Sequence, residues 1–182
     1  MTKRGFTLIE LIMVVVIISI LAVSGAWLMV YLVQNSVFIP NQLNTDMVAS
    51  DALDTMIEGD SNAHGLRFSR AMLNVQSNQV NFTNQDNGTI VYRLDVPSSK
   101  LFRSINGSAE ALLPYYVASA INITGVGGQV FTYYDANETV TSNPVNVRRI
   151  NISLAVKSGS GSYTDWQGQS NQSSSVTVDK FQ

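Results

Sequence analysis

The chain contains no cysteine and only one histidine, His64. The missing cysteines exclude a disulfide-stapled fold, a thiolate metal site and a cysteine nucleophile. A single histidine leaves serine–histidine chemistry only one possible base and rules out a multi-histidine metal centre. Charge is scarce too. Asp, Glu, Lys and Arg make up 13% of the 182 residues, and 11 basic against 13 acidic side chains give a net charge of -2. That share is about half the level of an ordinary soluble domain, and the balance offers no basic field to hold nucleic acid. Beyond Lys3 and Arg4 the basic residues are scattered, with Arg148-Arg149 the one adjacent pair. No nucleic-acid partner is expected.

The apolar residues concentrate at one end. Leu11 to Val33 is an uninterrupted run of 23 residues without charge, proline, Asn or Gln. As a helix it would reach roughly 35 Å, enough for a hydrocarbon core of about 30 Å. Lys3 and Arg4 precede the run, and the next charge after Glu10 is Asp46. The positive-inside rule therefore leaves the N-terminus in the cytoplasm and sends the remainder outward. A secretory signal peptide fits poorly, because its apolar core is shorter and ends at a small-residue cleavage site. Glu10 stands out at the lip of the run, between Ile9 and Leu11. A carboxylate near hydrocarbon is costly. Two readings account for it: a shallow position in the headgroups, helped by the helix N-terminus, or a positive partner on another subunit.

Arg4-Gly5-Phe6-Thr7-Leu8-Ile9-Glu10 ahead of an apolar helix resembles the class III leader of type IV prepilins and type II secretion pseudopilins. The resemblance covers about the first 30 residues. It implies cleavage between Gly5 and Phe6 by prepilin peptidase, and N-methylation of the new Phe6 amine. It also places Glu10 at the fifth mature position, where the family keeps its assembly glutamate, and Thr7 at the second. Residues 1–5 are then a leader and residues 6–58 a spine helix. Partners implied are other pilin or pseudopilin subunits, the inner-membrane assembly platform, and lipid before assembly. The implied location is the bacterial inner membrane, single pass with the head outside the cytoplasm, then a pilus or periplasmic pseudopilus.

Past the span, Pro40 predicts a bend or break, since proline removes a helical hydrogen bond. An amphipathic pattern resumes from Asn41, with Leu43, Met47 and Ile57 on one face and Asp46, Asp51 and Glu58 wet. The helix should stop by Gly59-Asp60-Ser61-Asn62. Asp51, Asp54, Glu58 and Asp60 lack calcium-loop spacing, which favours a solvated acidic face over an ion site.

Residues 59–182 read as a β-rich head. Strands are expected at Gly65–Phe68, Met72–Val75, Gln79–Thr83, Thr89–Leu94, Leu101–Ile105, Ala118–Thr124, Gln129–Asp135 and Val147–Lys157. Gln85-Asp86-Asn87-Gly88 marks a hairpin turn. From Ser158 to Ser175, all but Tyr163, Asp165 and Trp166 are Ser, Gly, Asn, Gln or Thr, which reads as a long polar loop. His64 reads as a turn residue. Tyr115, Tyr116, Phe131, Tyr133 and Tyr134 read as packing, because Tyr133 and Tyr134 must point to opposite faces of one strand.

The expected fold is α+β and type IV pilin-like, with a long N-terminal helix on a mainly antiparallel sheet. The expected function is a structural subunit of a type IV pilus, a minor pilin at initiation or the tip. A J-type minor pseudopilin and a major pilin are the related alternatives. The later strands, Phe131–Asp135 and Asn146–Ile150, are similar to heads of minor pilins and J-type pseudopilins. A membrane-anchored enzyme or binding module is the alternative of another class. The head offers it no nucleophile elbow, glycine phosphate loop or paired carboxylates, so no catalytic residue, cofactor or metal is assigned.

Overall fold

The computed structural model describes residues 7–114, 121–158 and 167–178. One helix dominates it. Helix α1 (Leu8–Ile57) runs for 50 residues, about 75 Å at the standard rise. Among the described residues nothing covers its first half: every large apolar side chain from Leu8 to Val33 is exposed. Ser19 and Ser24 turn their hydroxyls back onto the carbonyls of Val15 and Ile20, at 2.7 and 3.0 Å. Those hydroxyls therefore need no water.

Of the bend or break expected at Pro40, the break does not occur, because the helix continues through it. Proline costs about 3 kcal/mol in a helix interior. Regular helix on both sides, with the C-terminal part anchored on the head, holds the segment in register. The docking face also differs from expectation. Leu43 and Met47 are 60% and 55% exposed, whereas Thr45, Val48, Ala49, Ala52, Leu53, Met56 and Ile57 are buried. These seven recur every three to four residues and form one stripe. Small Ala49 and Ala52 let the sheet approach closely, and Thr45 hides its hydroxyl on the Gln42 carbonyl at 2.7 Å. Steric fit outranks hydrophobicity here.

After α1 the chain reverses through strands β1 (Gly59–Asp60) and β2 (Ala63–His64). Gly59 takes φ +95°, and a Cβ there would lie 2.2 Å from the Ala63 carbonyl. The expected strand Gly65–Phe68 is instead a 3-10 turn over Leu66–Phe68. Its Gly65 donates back to the Glu58 carbonyl at 3.0 Å, so the segment closes the helix end rather than joining a sheet.

Two antiparallel sheets follow. The first has the order β3-β4-β5-β6-β7, built from β3 (Ser69–Gln76), β4 (Gln79–Asn84), β5 (Thr89–Asp95), β6 (Lys100–Ile105) and β7 (Ala111–Leu112). The β4–β5 turn closes with Asn84 Oδ1 accepting from the N–H groups of Asp86 and Gly88. In the second sheet, β10 (Arg149–Ser158) pairs along one side with β11 (Gly168–Thr177). Its other side meets β9 (Phe131–Tyr134) and then β8 (Ile121–Gly125). Alternation is regular: Ile150, Ile152, Leu154 and Val156 point inward and are fully buried. The Ser77 carbonyl accepts from Val130 and Phe131, and the Ser99 carbonyl from Ile123, joining the sheets around a single core.

Strand β11 corrects the expected polar loop over residues 158–175; residues 159–166 of that loop lie outside the described residues. Ten consecutive pairs, from Arg149↔Thr177 to Ser158↔Gly168, make it a full strand. Its sequence, GQSNQSSSVT, has weak β propensity. Backbone pairing and a fit beneath α1 override that. A Cβ on Gly168 would sit 2.4 Å from the Asn41 carbonyl oxygen of α1. Substituting Gly168→Ala should therefore push strand and helix apart and lower stability by about 1–3 kcal/mol. Thermal unfolding of the full chain in detergent, followed by circular dichroism, reads this as a lower Tm.

Candidate functional site

The residue types that point to assembly lie at the start of α1. Thr7 is its N-cap, in extended conformation at φ -80° and ψ 150°. The Glu10 N–H donates to Thr7 Oγ1 at 3.4 Å, while the Thr7 N–H and hydroxyl donate to Glu10 Oε2 at 3.2 and 3.1 Å. This reciprocal arrangement is a capping box, which satisfies two otherwise orphaned N–H groups. The Thr-x-x-Glu spacing before an apolar run is its sequence signature.

The box determines how the carboxylate is presented. Oε2 takes both Thr7 bonds, and Oε1 takes none among the described residues. Glu10 lies in the first turn, where the N-terminal end of the helix dipole favours negative charge. Below it the apolar surface of Leu8–Val33 is unaccompanied. α1 is the one helix among the described residues long and apolar enough to cross a membrane, and none of that stretch is buried in the protein. The arrangement does no bond chemistry. It offers an acceptor oxygen at the rim of an apolar rod. Gly5 and Phe6 lie outside the described residues.

The other candidates are dispersed. Glu58 pairs with Arg67 at 2.9 Å, and Asp60 with Arg103 at 2.8 Å. Asp54 stays exposed. Among the described residues no group of three potential metal-ligating side chains converges. His64 joins the β1–β2 turn to the β4–β5 turn, with Nδ1 2.5 Å from Asp86 and Nε2 3.0 Å from Gln85. Phe131 and Tyr133 stack on the buried face of β9, whereas Tyr134 faces outward beneath the Arg149 guanidinium. Tyr115, Tyr116 and Trp166 lie outside the described residues.

A cleft of about 290 Å³ opens between α1 and β7, lined by Asp51, Thr55, Asp60, Asn62 and Arg103 and by the apolar Ala111, Leu112, Leu113 and Pro114. Asp60 is already engaged: Arg103 binds one oxygen, and the N–H groups of Asn62 and Ala63 donate to the other. Burial alone would raise the Asp60 pKa, but Arg103 and the two backbone donors together outweigh it and hold it below the ordinary value. Asp95, bound by Ser98 and Arg93, and Glu110 and Glu138, each bound by an arginine, shift the same way. Burial of Tyr92, whose hydroxyl donates to the Thr55 carbonyl, pushes its pKa up to about 12. Of these contacts, Tyr92 to Thr55 ties the head to α1 and Arg103 to Asp60 ties β6 to the turn that follows it, while the others lie within the head.

Residues 1–26 match the family described as the prokaryotic N-terminal methylation motif. No curated protein and no solved structure matches the chain. A class III prepilin-type leader motif thus precedes a long helix packed on an antiparallel β-sheet head. That combination is the type IV pilin-like α+β architecture and is consistent with the broad pilin and pseudopilin superfamily.

Replacing Thr7 by alanine should remove the cap, at a cost of about 0.5–2 kcal/mol to the first turn. Hydrogen exchange at the amides of Leu8 to Leu11 should then quicken while the head is unaffected. Head stability should fall with acid in a defined direction. Carboxylates with depressed folded pKa values stabilise above their unfolded values, near 4, and lose that contribution as pH falls through the folded ones. Urea unfolding between about pH 6 and pH 2 should show the loss beginning near pH 4, and Asp60→Asn should make the curve shallower.

Proposed function

We propose that this protein is a structural filament subunit, a minor pilin that supports initiation of a type IV pilus or sits at its tip. The observation that carries the reading is the N-terminal half of α1. It is an apolar rod that none of the described head residues covers, led by one carboxylate, and its start lies in residues 1–26, which match a methylation motif. Prepilin peptidase cuts between Gly5 and Phe6, which removes Lys3 and Arg4, and the new Phe6 amine is methylated. The helix waits in the inner membrane with the head outside the cytoplasm. It leaves lipid only for an equally apolar surrounding, the bundled helices of a filament. There the Glu10 carboxylate, held upright by Thr7, meets the Phe6 amine of a neighbour. An unpaired charge in that dry core is expensive, so pairing sets the axial register.

Mass spectrometry of sheared filaments should find a chain that starts at Phe6 and carries one added methyl group. A low ratio of this chain to the main subunit supports the minor role, and a dominant share overturns it. Glu10→Gln leaves the amine without its counter-charge. Losing one partner of a buried pair costs about 3–5 kcal/mol, so incorporation should fall more than about ten-fold while membrane insertion is unchanged. Normal incorporation of that variant would sink the pairing.

A further inference from the structure

The two sheets protect their edges unequally. Strand β3 carries two register irregularities and the exposed, charged Arg70, and the turn Pro144–Asn146 packs beside it. Strand β7 is two residues long. The outer side of β9 is covered by the segment around Thr141, whose N–H donates to the Tyr133 carbonyl at 2.9 Å, and β8 is tied to Ser99. Bulges, charges, shortness and covering loops are the devices that keep sheet edges from pairing with other chains. Among the described residues, strand β11 has only a partial cover, α1 at its Gly168–Gln169 end. Its ten residues contain no charge and no proline, and they pair with β10 without a register shift.

The direction of its free groups follows from its neighbour. The Ser153 N–H donates to the Val130 carbonyl, and its own carbonyl accepts from Val126, so the Ser153 backbone faces away from β11. Ser173, its register partner, therefore sits in a non-hydrogen-bonded pair, and its N–H and C=O point outward. Asn171 and Ser175 share that direction. Gln169 does as well, and it shows what the edge accepts: the Gln42 side-chain amide donates to its carbonyl at 2.9 Å and accepts from its N–H at 3.1 Å. One amide of this chain already imitates a rung of a ladder. The rungs above it, at Asn171, Ser173 and Ser175, have no backbone partner among the described residues.

We propose that the outer edge of β11 is a strand-addition site that receives an extended segment of a different polypeptide. The lower end, near the membrane, is closed by Gln42 and by the contact of Gly168 with α1. The segment therefore enters from the end distal to the membrane and spans the Asn171–Ser175 rungs, about 14 Å. The exposed row of β11 is Asn and Ser, so the matching segment is uncharged and polar on its wet face, and its backbone amides supply the affinity. A second copy fits poorly. Antiparallel pairing of two β11 strands turns one α1 end for end, so the two chains could not enter one membrane in the same direction. Parallel pairing by the same edges brings the two Gln42 clasps against each other. The inference takes from the filament reading only the direction of α1 in the membrane.

The test compares amide exchange of the full chain, purified in detergent, with that of the same chain in native envelope membranes. In detergent, Asn171, Ser173 and Ser175 should exchange freely. In native membranes they should slow by about ten-fold or more, and a photo-crosslinker at Asn171 should map to an extended segment of another protein. Ser173→Pro removes an outward donor, which an edge strand tolerates. It should leave the circular dichroism unchanged and abolish the protection, whereas Ser174→Pro removes a rung to β10 and should unfold the sheet. If Ser173→Pro fails to fold, the wild-type comparison still decides. Equal exchange in both settings overturns the proposal, and so does a crosslink to β11 of a second copy. Failure of the filament reading would appear separately, as a chain absent from sheared filaments, and would leave the exchange result standing.

Discussion

One helix has to satisfy two surroundings, and the rest of the molecule is arranged by that constraint. From Leu8 to Val33 α1 presents apolar side chains in every direction, and none of the described residues covers them. From Thr45 to Ile57 it presents one narrow stripe, which the sheets bury completely. The first half is stable only where water is absent, in a bilayer or among similar helices. The second half is stable because it completes a core. Continuity through Pro40 joins the two halves in one helix, so whatever holds the apolar rod also constrains the head.

The head is tied to that helix by a few contacts of distinct kinds. Gly168 allows strand β11 to meet the helix backbone, Gln42 clasps the strand beside it, and the Tyr92 hydroxyl reaches the Thr55 carbonyl higher up. Arg103 and Asp60 then fasten β6 to the turn that follows the helix. Burial and hydrogen bonding act together here. The apolar stripe supplies most of the stability, and the polar contacts select one docking angle among several that the stripe would allow.

At the other end of the helix, the cap also sets how a carboxylate is presented. Thr7 and Glu10 stabilise the first turn of the chain that carries them, and the bonds that do so use a single carboxylate oxygen. The second oxygen is left toward the outside. A capping pair thus aims a charged group without any neighbouring element to hold it, which matters at a terminus that no core supports.

Much of this was legible in the residues themselves. An uncharged run from Leu11 to Val33 has few physical options, and the Gly5-Phe6 leader pattern with Glu10 narrowed them further. The hairpin at Gln85–Gly88 and the alternation of Ile150, Ile152, Leu154 and Val156 follow from local chemistry, because turn geometry and pleat periodicity act over a few residues. Three features needed the folded molecule. Leu43 and Met47 are more apolar than Thr45, Ala49 and Ala52, yet the smaller residues make the docking face, because packing is decided by fit between surfaces distant in sequence. Pro40 kept its place in an unbroken helix because structure on both sides outweighs a local penalty. Strand β11 looks like a linker by composition, and it became a strand because β10 pairs with its whole length and α1 closes over its small inward residues. Periodicity and charge are properties of neighbouring residues and can be read along the chain. Docking face, strand edge and helix continuity depend on which distant surfaces meet, and only the tertiary structure decides that.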